Sequence, residues 1–189
     1  MEIEVLRLSH RLPRDERIST HVALVARAFG ASSITYTGQH DSGLEESVKR
    51  ICERWGGKVA GSGPEGAGAA GSCFSISYEK SALPFIKKKK KEGFAIVHLT
   101  MYGLPVQDAV GRMREREKLL LVVGSEAVPG AVYQLADFNV AVTSQPHSEV
   151  AALAITLDRI MEGKELERTG FGGKVEIIPS ERGKNVRQS

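Results

Sequence analysis

Two short polar loops contain the residues whose types and spacing are best suited to bind a ligand. The apolar run LLLVVG (119–124) leads into the first loop, and FNVAV (138–142) leads into TSQPHSE (143–149). Each run is typical of a buried strand, so both loops follow the carboxyl ends of strands. Ligands bind at those ends in open α/β sheets, because backbone N–H groups and helix N-termini collect there. The sequence therefore predicts a ligand site made of late loops.

The segments around these loops predict how they are positioned. Apolar residues from Val150 to Ile160 recur at helical spacing, and Gly163 ends the pattern. A third strand, FAIVHL (94–99), runs into HLTMYG (98–103). We expect HLTMYG, GSEAVPG and VTSQPHSE to form one site, because all three are strand ends of the same predicted sheet.

The rest of the chain alternates between strand and helix patterns. Strands are predicted at EVLRL (4–8), SITY (33–36), CFSISY (73–78) and 174–178. Helices are predicted from Ser19 or Thr20 to Gly30, from a Ser42–Glu45 capping box to Gly56, and across 105–116. The segment 81–93 is predicted to be a short basic helix or loop. This alternation predicts an α/β fold with a mostly parallel sheet flanked by helices.

Two common phosphate-binding motifs are missing where they would be informative. The first strand is followed by SHRLPRDERISTH (9–21) and not by a GxGxxG fingerprint. The segment GSGPEGAGAAG (61–71) lacks the Lys-Ser/Thr ending of a P-loop. Its many glycines make regular structure costly, so it is predicted to be a flexible loop.

Length and composition favour one domain. The 189 residues, 41% of them apolar, can form one sizeable core, and we expect a single domain over 1–189. No signal-peptide pattern and no apolar run of membrane-spanning length is present, which predicts a cytoplasmic protein without a membrane partner. The two cysteines, Cys52 and Cys73, form no Cys/His cluster, so neither a disulfide scaffold nor a zinc site is expected.

Basic residues are concentrated in two places although the net charge is only +3. Lys87–Lys91 is a run of five lysines, and the predicted C-terminal tail, 179–189, contains Arg182, Lys184 and Arg187. Such runs are typical either of a solvated surface or of a nucleic-acid contact. The sequence leaves both readings open with equal weight.

Three long blocks resemble the SPOUT methyltransferases and, among them, the archaeal tRNA cytidine-56 2′-O-methyltransferases. The blocks are LRLSHRLPRDERISTHVALVARAFGA (6–31), IVHLTMYG (96–103) and the stretch from VVGSEAVPG to ALAITLDRI (122–160). They cover almost the whole chain. The segment 61–71 departs from the family by being longer and richer in glycine, which affects its local structure and not the chemistry.

The resemblance implies a C-terminal deep trefoil knot, S-adenosylmethionine as cofactor, tRNA as substrate and a homodimer. It places the cofactor against Leu99, Gly124, Ser125, Glu126, Ala127, Val128, Val142, Thr143, Ser144, Gln145, Pro146, His147, Ser148 and Glu149. Plainer roles remain open for several of these residues. Glu149 would also suit a helix N-terminus, and Leu99 would also suit ordinary packing.

Methyl transfer to a ribose hydroxyl needs no metal, because the sulfonium is already an activated electrophile. The site must hold the weakly acidic hydroxyl in line and stabilise its developing negative charge. Arg14, Arg17, His21 and Arg27 are candidates, with Arg17 ranked first as a phosphate and ribose contact and His21 second as a proton acceptor. Arg11 and Arg14 are better suited to phosphate contacts.

Two non-catalytic classes remain compatible with the residues. A nucleotide-binding regulatory domain would account for the strand-end loops, and a tRNA-binding module would account for the basic segments. Binding of S-adenosylmethionine, followed by methyl transfer to tRNA, separates these classes from an enzyme.

Overall fold

The computed structural model describes residues 1–57, 73–124 and 128–188. The predicted flexible loop, 61–71, lies outside these ranges. Ser125, Glu126 and Ala127, three of the predicted cofactor contacts, also lie outside them.

Six parallel strands form the central sheet, as the sequence predicts. They are β1 (Glu2–His10), β2 (Ser33–Gly38), β3 (Ser75–Tyr78), β4 (Ala95–Pro105), β5 (Lys118–Val123) and β6 (Phe138–Ala141). Their order across the sheet is β3-β2-β1-β5-β4-β6. The neighbours β1, β5 and β4 therefore bring their carboxyl ends side by side.

Helices cover both faces of this sheet. One face carries α1 (Glu16–Ala28), α2 (Ser42–Trp55), α4 (Val106–Arg114) and α6 (Glu149–Met161), and the other carries α3 (Ala82–Lys91) and α5 (Gly130–Leu135). Strand β5 packs Leu119 and Leu121 into the first layer and Leu120 and Val122 into the second. A strand buried on both sides has no polar face, which explains why LLLVV is continuously apolar.

The sequence-based start of α1 was wrong by a few residues, whereas α2 begins at Ser42 and is closed by Gly56 as predicted and differs only in its N-terminal cap. α1 begins at Glu16 after Asp15, and the expected cap Ser19 is instead buried against His10. α2 is capped by Asp41, whose carboxylate accepts a hydrogen bond from the Leu44 N–H at 3.0 Å. The predicted Ser42–Glu45 box does not form, because the Glu45 carboxylate accepts a hydrogen bond from the Tyr36 hydroxyl.

Strand β4 continues past the predicted end at Leu99, and its pairing with β6 is interrupted by an arch. Both Leu99 and Leu104 pair with Val140 of β6, so the residues between them arch out of the ladder. Gly103 lies where the arch returns to β6, and a β-carbon there would overlap the backbone of Asn139 and Val140. Glycine is therefore required by the close approach of two backbones.

The Gly103→Ala variant is expected to lose about 1–3 kcal/mol of unfolding free energy, because the added methyl has no space. Gly111→Ala is the matched control, since nothing lies within 4 Å of the added methyl and the position is helical. Alanine there should be neutral or stabilising by up to about 1 kcal/mol. Urea titrations of both variants make the comparison; equal stabilities would contradict the steric argument.

Helix α5, a strand at Val186–Gln188 and a short 3-10 helix at Lys164–Glu167 were not predicted. The six-residue helix α5 is too short to show a helical period. The predicted tail contains strand β8 (Val186–Gln188), which pairs antiparallel with β7 (Val175–Ile177) to form a hairpin. The predicted strand at 174–178 corresponds to β7. Within the described ranges, no helix is long and apolar enough to cross a membrane.

The lysine run forms the last turns of α3, near the amino-terminal ends of the strands. Lys89 lies 2.7 Å from a Glu4 carboxylate oxygen, and Lys90 lies 2.8 Å from Asp137. Two of the five lysines thus serve as ion-pair partners within the fold. The run lies at the sheet edge opposite to the strand-end loops, which favours the solvated-surface reading.

Candidate active site

A cleft of about 660 Å³ opens at the carboxyl ends of β4 and β5. The loop before α1 and the start of α6 complete its walls. This is the edge of the sheet that the sequence predicts for a ligand. The volume lies in the range of small-molecule sites. Its lining residues include Arg11, Arg14, Asp15, Ile18, His98, Leu99, Thr100, Tyr102, Gly124, Val128, Tyr133 and 146–149.

Seven of the predicted cofactor contacts line this cleft together. They are Leu99, Gly124, Val128, Pro146, His147, Ser148 and Glu149. Val142, Thr143, Ser144 and Gln145 follow β6 and are not among the lining residues. The structure thus brings residues of all three predicted loops together, but in the third loop only Pro146 to Glu149 line the cleft.

Gly124 ends β5 at the floor of the cleft. A β-carbon at this position would overlap the Cγ2 atom of Val128, and Leu8 is the next neighbour. The end of β5 and the segment that begins at Val128 therefore approach each other more closely than a larger residue allows.

The N-terminus of α6 forms one wall of the cleft. Ser148 caps this helix, its hydroxyl accepting a hydrogen bond from the Val150 N–H at 3.2 Å. Glu149 occupies the first turn and accepts a hydrogen bond from the Arg7 guanidinium at 3.0 Å. Burial raises the pKa of Glu149, while Arg7 opposes this shift. Glu149 is thus the partner of a buried arginine as well as a cleft residue.

Arg7 is a buried charged residue behind the cleft wall that sequence reasoning missed. Its side chain is only 1% exposed although it lies in the middle of β1. Besides Glu149, its guanidinium lies 3.9 Å from Asp15, which in turn accepts hydrogen bonds from the backbone and side chain of Arg11. The available signal was a lone arginine within the apolar strand EVLRL. These contacts hold the loop before α1 against α6.

Removing Arg7 alone should be costly, because it leaves the Glu149 carboxylate buried without its counter-ion. We expect Arg7→Met to lose about 3–5 kcal/mol of unfolding free energy at neutral pH. The double variant Arg7→Met/Glu149→Leu should lose less than the single variant, since no buried charge remains.

The pH dependence provides the control for this prediction. Without Arg7, the folded-state pKa of Glu149 rises further above its unfolded value, so the folded state binds the extra proton. The deficit of Arg7→Met relative to the parent should therefore shrink as pH falls towards the titration of Glu149. Denaturant unfolding from pH 7 to 4.5 measures this; a deficit that does not change with pH would contradict the electrostatic cause.

His98 is fully buried under α5 at the side of the cleft. Its Nδ1 atom lies 2.9 Å from the Asn139 side-chain oxygen, and its ring meets Tyr133 edge to face at 4.5 Å. The Tyr133 hydroxyl reaches Thr100 at 3.0 Å. Burial lowers the pKa of His98, against the opposing effect of the Asn139 hydrogen bond. The ring is therefore neutral at physiological pH.

The two predicted catalytic residues lie elsewhere on the chain. Arg17 and His21 are exposed on α1 and line a second cleft, of about 460 Å³, between α1 and the start of α2. Arg11 and Arg14, the predicted phosphate contacts, line the first cleft instead. Arg27 is half-buried with its guanidinium 5.5 Å from the centre of the Phe171 ring. Within a single chain, Arg17 therefore does not line the cleft formed by the cofactor loops.

A buried polar chain fixes α1, which carries Arg17 and His21. His10 Nδ1 lies 2.7 Å from the Ser19 hydroxyl, and its Nε2 lies 3.3 Å from a carboxylate oxygen of Asp41. Ser19 belongs to α1 and Asp41 caps α2. His10, at the end of β1, therefore sets the relative position of the two helices that border the second cleft.

Comparison with known proteins identifies the family of this chain. Residues 70–187 match the family model described as tRNA ribose 2′-O-methyltransferase, aTrm56. A tRNA (cytidine(56)-2′-O)-methyltransferase from Methanopyrus kandleri is 45% identical over 192 residues, which cover 100% of this chain and 99% of that protein. The chain belongs to the aTrm56 family. The resemblance inferred from the three sequence blocks is confirmed.

Solved structures show that the aTrm56 chain shares its fold with SPOUT enzymes. A TrmH/SpoU tRNA-modifying enzyme from A. aeolicus has a TM-score of 0.60 at 15% identity, covering 88% of this chain and 77% of that one. An AdoMet-bound rRNA methyltransferase from Sinorhizobium meliloti has a TM-score of 0.57 at 17% identity, covering 85% and 56%. The predicted α/β class, a parallel sheet flanked by helices, is confirmed.

Proposed function

We propose that this protein transfers a methyl group from S-adenosylmethionine to the ribose 2′-hydroxyl of cytidine 56 in tRNA. The observation that carries the proposal is the convergence of three late strand-end loops and two arginines, Arg11 and Arg14, on one cleft in a chain of the aTrm56 family. The loops suit a nucleoside cofactor, and the arginines suit the phosphates of an RNA substrate.

The residues of the first cleft fit S-adenosylmethionine. Leu99, Val123 and Val128 provide an apolar wall, and Gly124 permits close approach of the backbone. The N-terminus of α6 directs N–H groups towards the same space, which suits a carboxylate. When bound, the cofactor supplies a methyl group on a positively charged sulfur. Ser125, Glu126 and Ala127 stay predicted cofactor contacts and lie outside the described residues.

The reaction is an in-line displacement at the methyl carbon. With the cofactor bound, the 2′-oxygen would displace a neutral thioether from the methyl carbon, and the residues of the chain would hold the hydroxyl in line for this step. The hydroxyl proton leaves to a base, for which His21 is the proposed acceptor. Arg17 holds the adjoining phosphate and stabilises negative charge on the oxygen.

We propose that the active enzyme is a homodimer in which Arg17 and His21 act on the cofactor of the partner subunit. Both residues are exposed on α1 and line a cleft different from the one formed by the cofactor loops. A second copy is the simplest way to bring the two sets together. The apolar stripe of α6 is not available for this contact, because Leu153, Leu157 and Ile160 are core residues.

We also propose that the C-terminal part of the chain forms a deep trefoil knot. The double pairing of β4 with Val140 and the backbone contact at Gly103 are compatible with a chain that passes back through its own loop. Such threading lets loops after β4, β5 and β6 surround one ligand although they are far apart in sequence.

The Arg17→Ala variant should lose about a hundredfold to a thousandfold in methyl transfer, because a charge contact to the transition state is removed. Lysine should restore little of this activity, since it lacks the planar fork of arginine. Single-turnover transfer at saturating tRNA measures the effect. S-adenosylmethionine affinity, measured separately, should stay near that of the parent; a loss of transfer under about tenfold would place the role on His21 or Arg27.

Mixing two inactive variants tests whether Arg17 acts across the dimer. Gly124→Val should lose cofactor binding while its Arg17 stays intact, and Arg17→Ala should keep its cofactor cleft. After subunit exchange, each mixed dimer regains one complete site, so about a quarter of all sites should become active for an equimolar mixture. No recovery, with exchange verified by mass spectrometry, would place Arg17 and the cofactor in one subunit.

The two non-catalytic alternatives are separated by two measurements. Equilibrium dialysis with labelled S-adenosylmethionine comes first, and incubation of the complex with tRNA follows. A regulatory domain binds the cofactor without transfer, and a tRNA-binding module binds no cofactor. Mapping the methylated nucleotide by digestion and mass spectrometry then tests the assignment to cytidine 56.

A further inference from the structure

A chain of hydrogen bonds fixes a proton on the Nδ1 atom of the His98 ring. The Asn139 side-chain nitrogen donates to the backbone oxygen of Tyr133 at 2.9 Å, which turns the Asn139 side-chain oxygen towards His98. That oxygen is an acceptor only, so the facing Nδ1 atom of His98, 2.9 Å away, carries the proton and donates. In a neutral ring, Nε2 is then a bare acceptor.

The Nε2 atom has no hydrogen-bond partner in the part of the chain that the structure describes. It is fully buried, and His98 itself is 0% exposed and lines the first cleft. Unpartnered buried acceptors are rare in folded proteins and call for an explanation. The ring also makes an edge contact with Tyr133, which lines the same cleft. His98 is thus a rigid acceptor next to the proposed cofactor.

We propose that Nε2 of His98 accepts a hydrogen bond from S-adenosylmethionine, and that His98 is a cofactor-binding residue. This inference rests on the proposed methyltransferase function. The partner must be a donor, which restricts it to the adenine amino group, a ribose hydroxyl or the ammonium group of the cofactor. The cofactor carboxylate and the sulfonium have no hydrogen to donate.

The position of His98 distinguishes it from the catalytic candidates. Its ring contacts Tyr133 of α5, on the face of the sheet opposite to α1. Arg11 and Arg14 border the cleft from the loop before α1. His98 therefore meets a ligand from the side away from these arginines and does not act as the base for the ribose hydroxyl.

Nitrogen NMR of the unmodified protein tests the proposal directly. With ¹⁵N-histidine label, the free protein should show His98 with a protonated Nδ1 and a bare Nε2. Adding S-adenosylmethionine should shift the Nε2 resonance upfield, as accepting a hydrogen bond does, while Nδ1 keeps its proton. His10 provides the internal control, because it is buried but does not line the first cleft, and its resonances should stay in place.

Ligand fragments identify the donor group. A shift with adenosine assigns a ribose hydroxyl or the adenine amino group, and inosine, which has no amino group, separates these two. A shift with methionine alone assigns the ammonium. If the parent protein binds S-adenosylmethionine while the Nε2 resonance does not move, the inference is overturned and the proposed function stands. If the parent protein binds no cofactor, the proposed function is overturned as well.

Two substitutions provide an affinity readout. His98→Leu removes the acceptor and should weaken S-adenosylmethionine binding about tenfold or more, because a donor is buried without a partner. His98→Gln offers a side-chain oxygen in a similar place and should recover part of the affinity. Calorimetric titration measures both; equal affinities of the leucine variant and the parent would contradict the proposal.

Discussion

The parallel direction of all six strands is the constraint on which this structure depends. Because the strands run the same way, their carboxyl ends lie along one edge, and the order β1-β5-β4 puts three of these ends next to each other. Arg11 follows the first, Gly124 the second and Thr100 lies in the arch of the third. The floor of the cleft is thus a direct result of the strand order.

The helices on the two faces of the sheet contribute different residues to this cleft. α6, on the first face, supplies an N-terminus and Glu149, while α5, on the second, covers His98. The two faces have different polar contents: a charged network of Arg7, Asp15 and Glu149 on one, and a neutral chain of amide and imidazole on the other. Arg7 is neutralised by these carboxylates, so Arg11 and Arg14 are the cleft residues that suit RNA phosphates, and the neutral side suits an uncharged nucleoside.

The sequence predicts most of this arrangement because strand and helix periodicity is a local property. LLLVV is recognisable as a strand that is covered on both faces, and it ends where predicted, at Gly124. The start of α1 was wrong because Asp15 interacts with Arg11 and Arg7, and only the tertiary structure shows it. No local pattern reports the partner of Arg7, the proton on Nδ1 of His98 or the separation of Arg17 from the cofactor loops, because each depends on contacts distant in sequence.

The ion pair between Arg7 and Glu149 also sets an order of events during synthesis. These residues are 142 positions apart, so Arg7 leaves the ribosome long before Glu149, its closer carboxylate partner, is synthesised. Until α6 emerges, β1 would have to bury a guanidinium without a carboxylate from α6, which disfavours an early, fully packed N-terminal half. Contacts of such long range slow folding, because a large loop must close before they form. The cleft that this pair borders is thus among the last parts of the nascent protein to be completed.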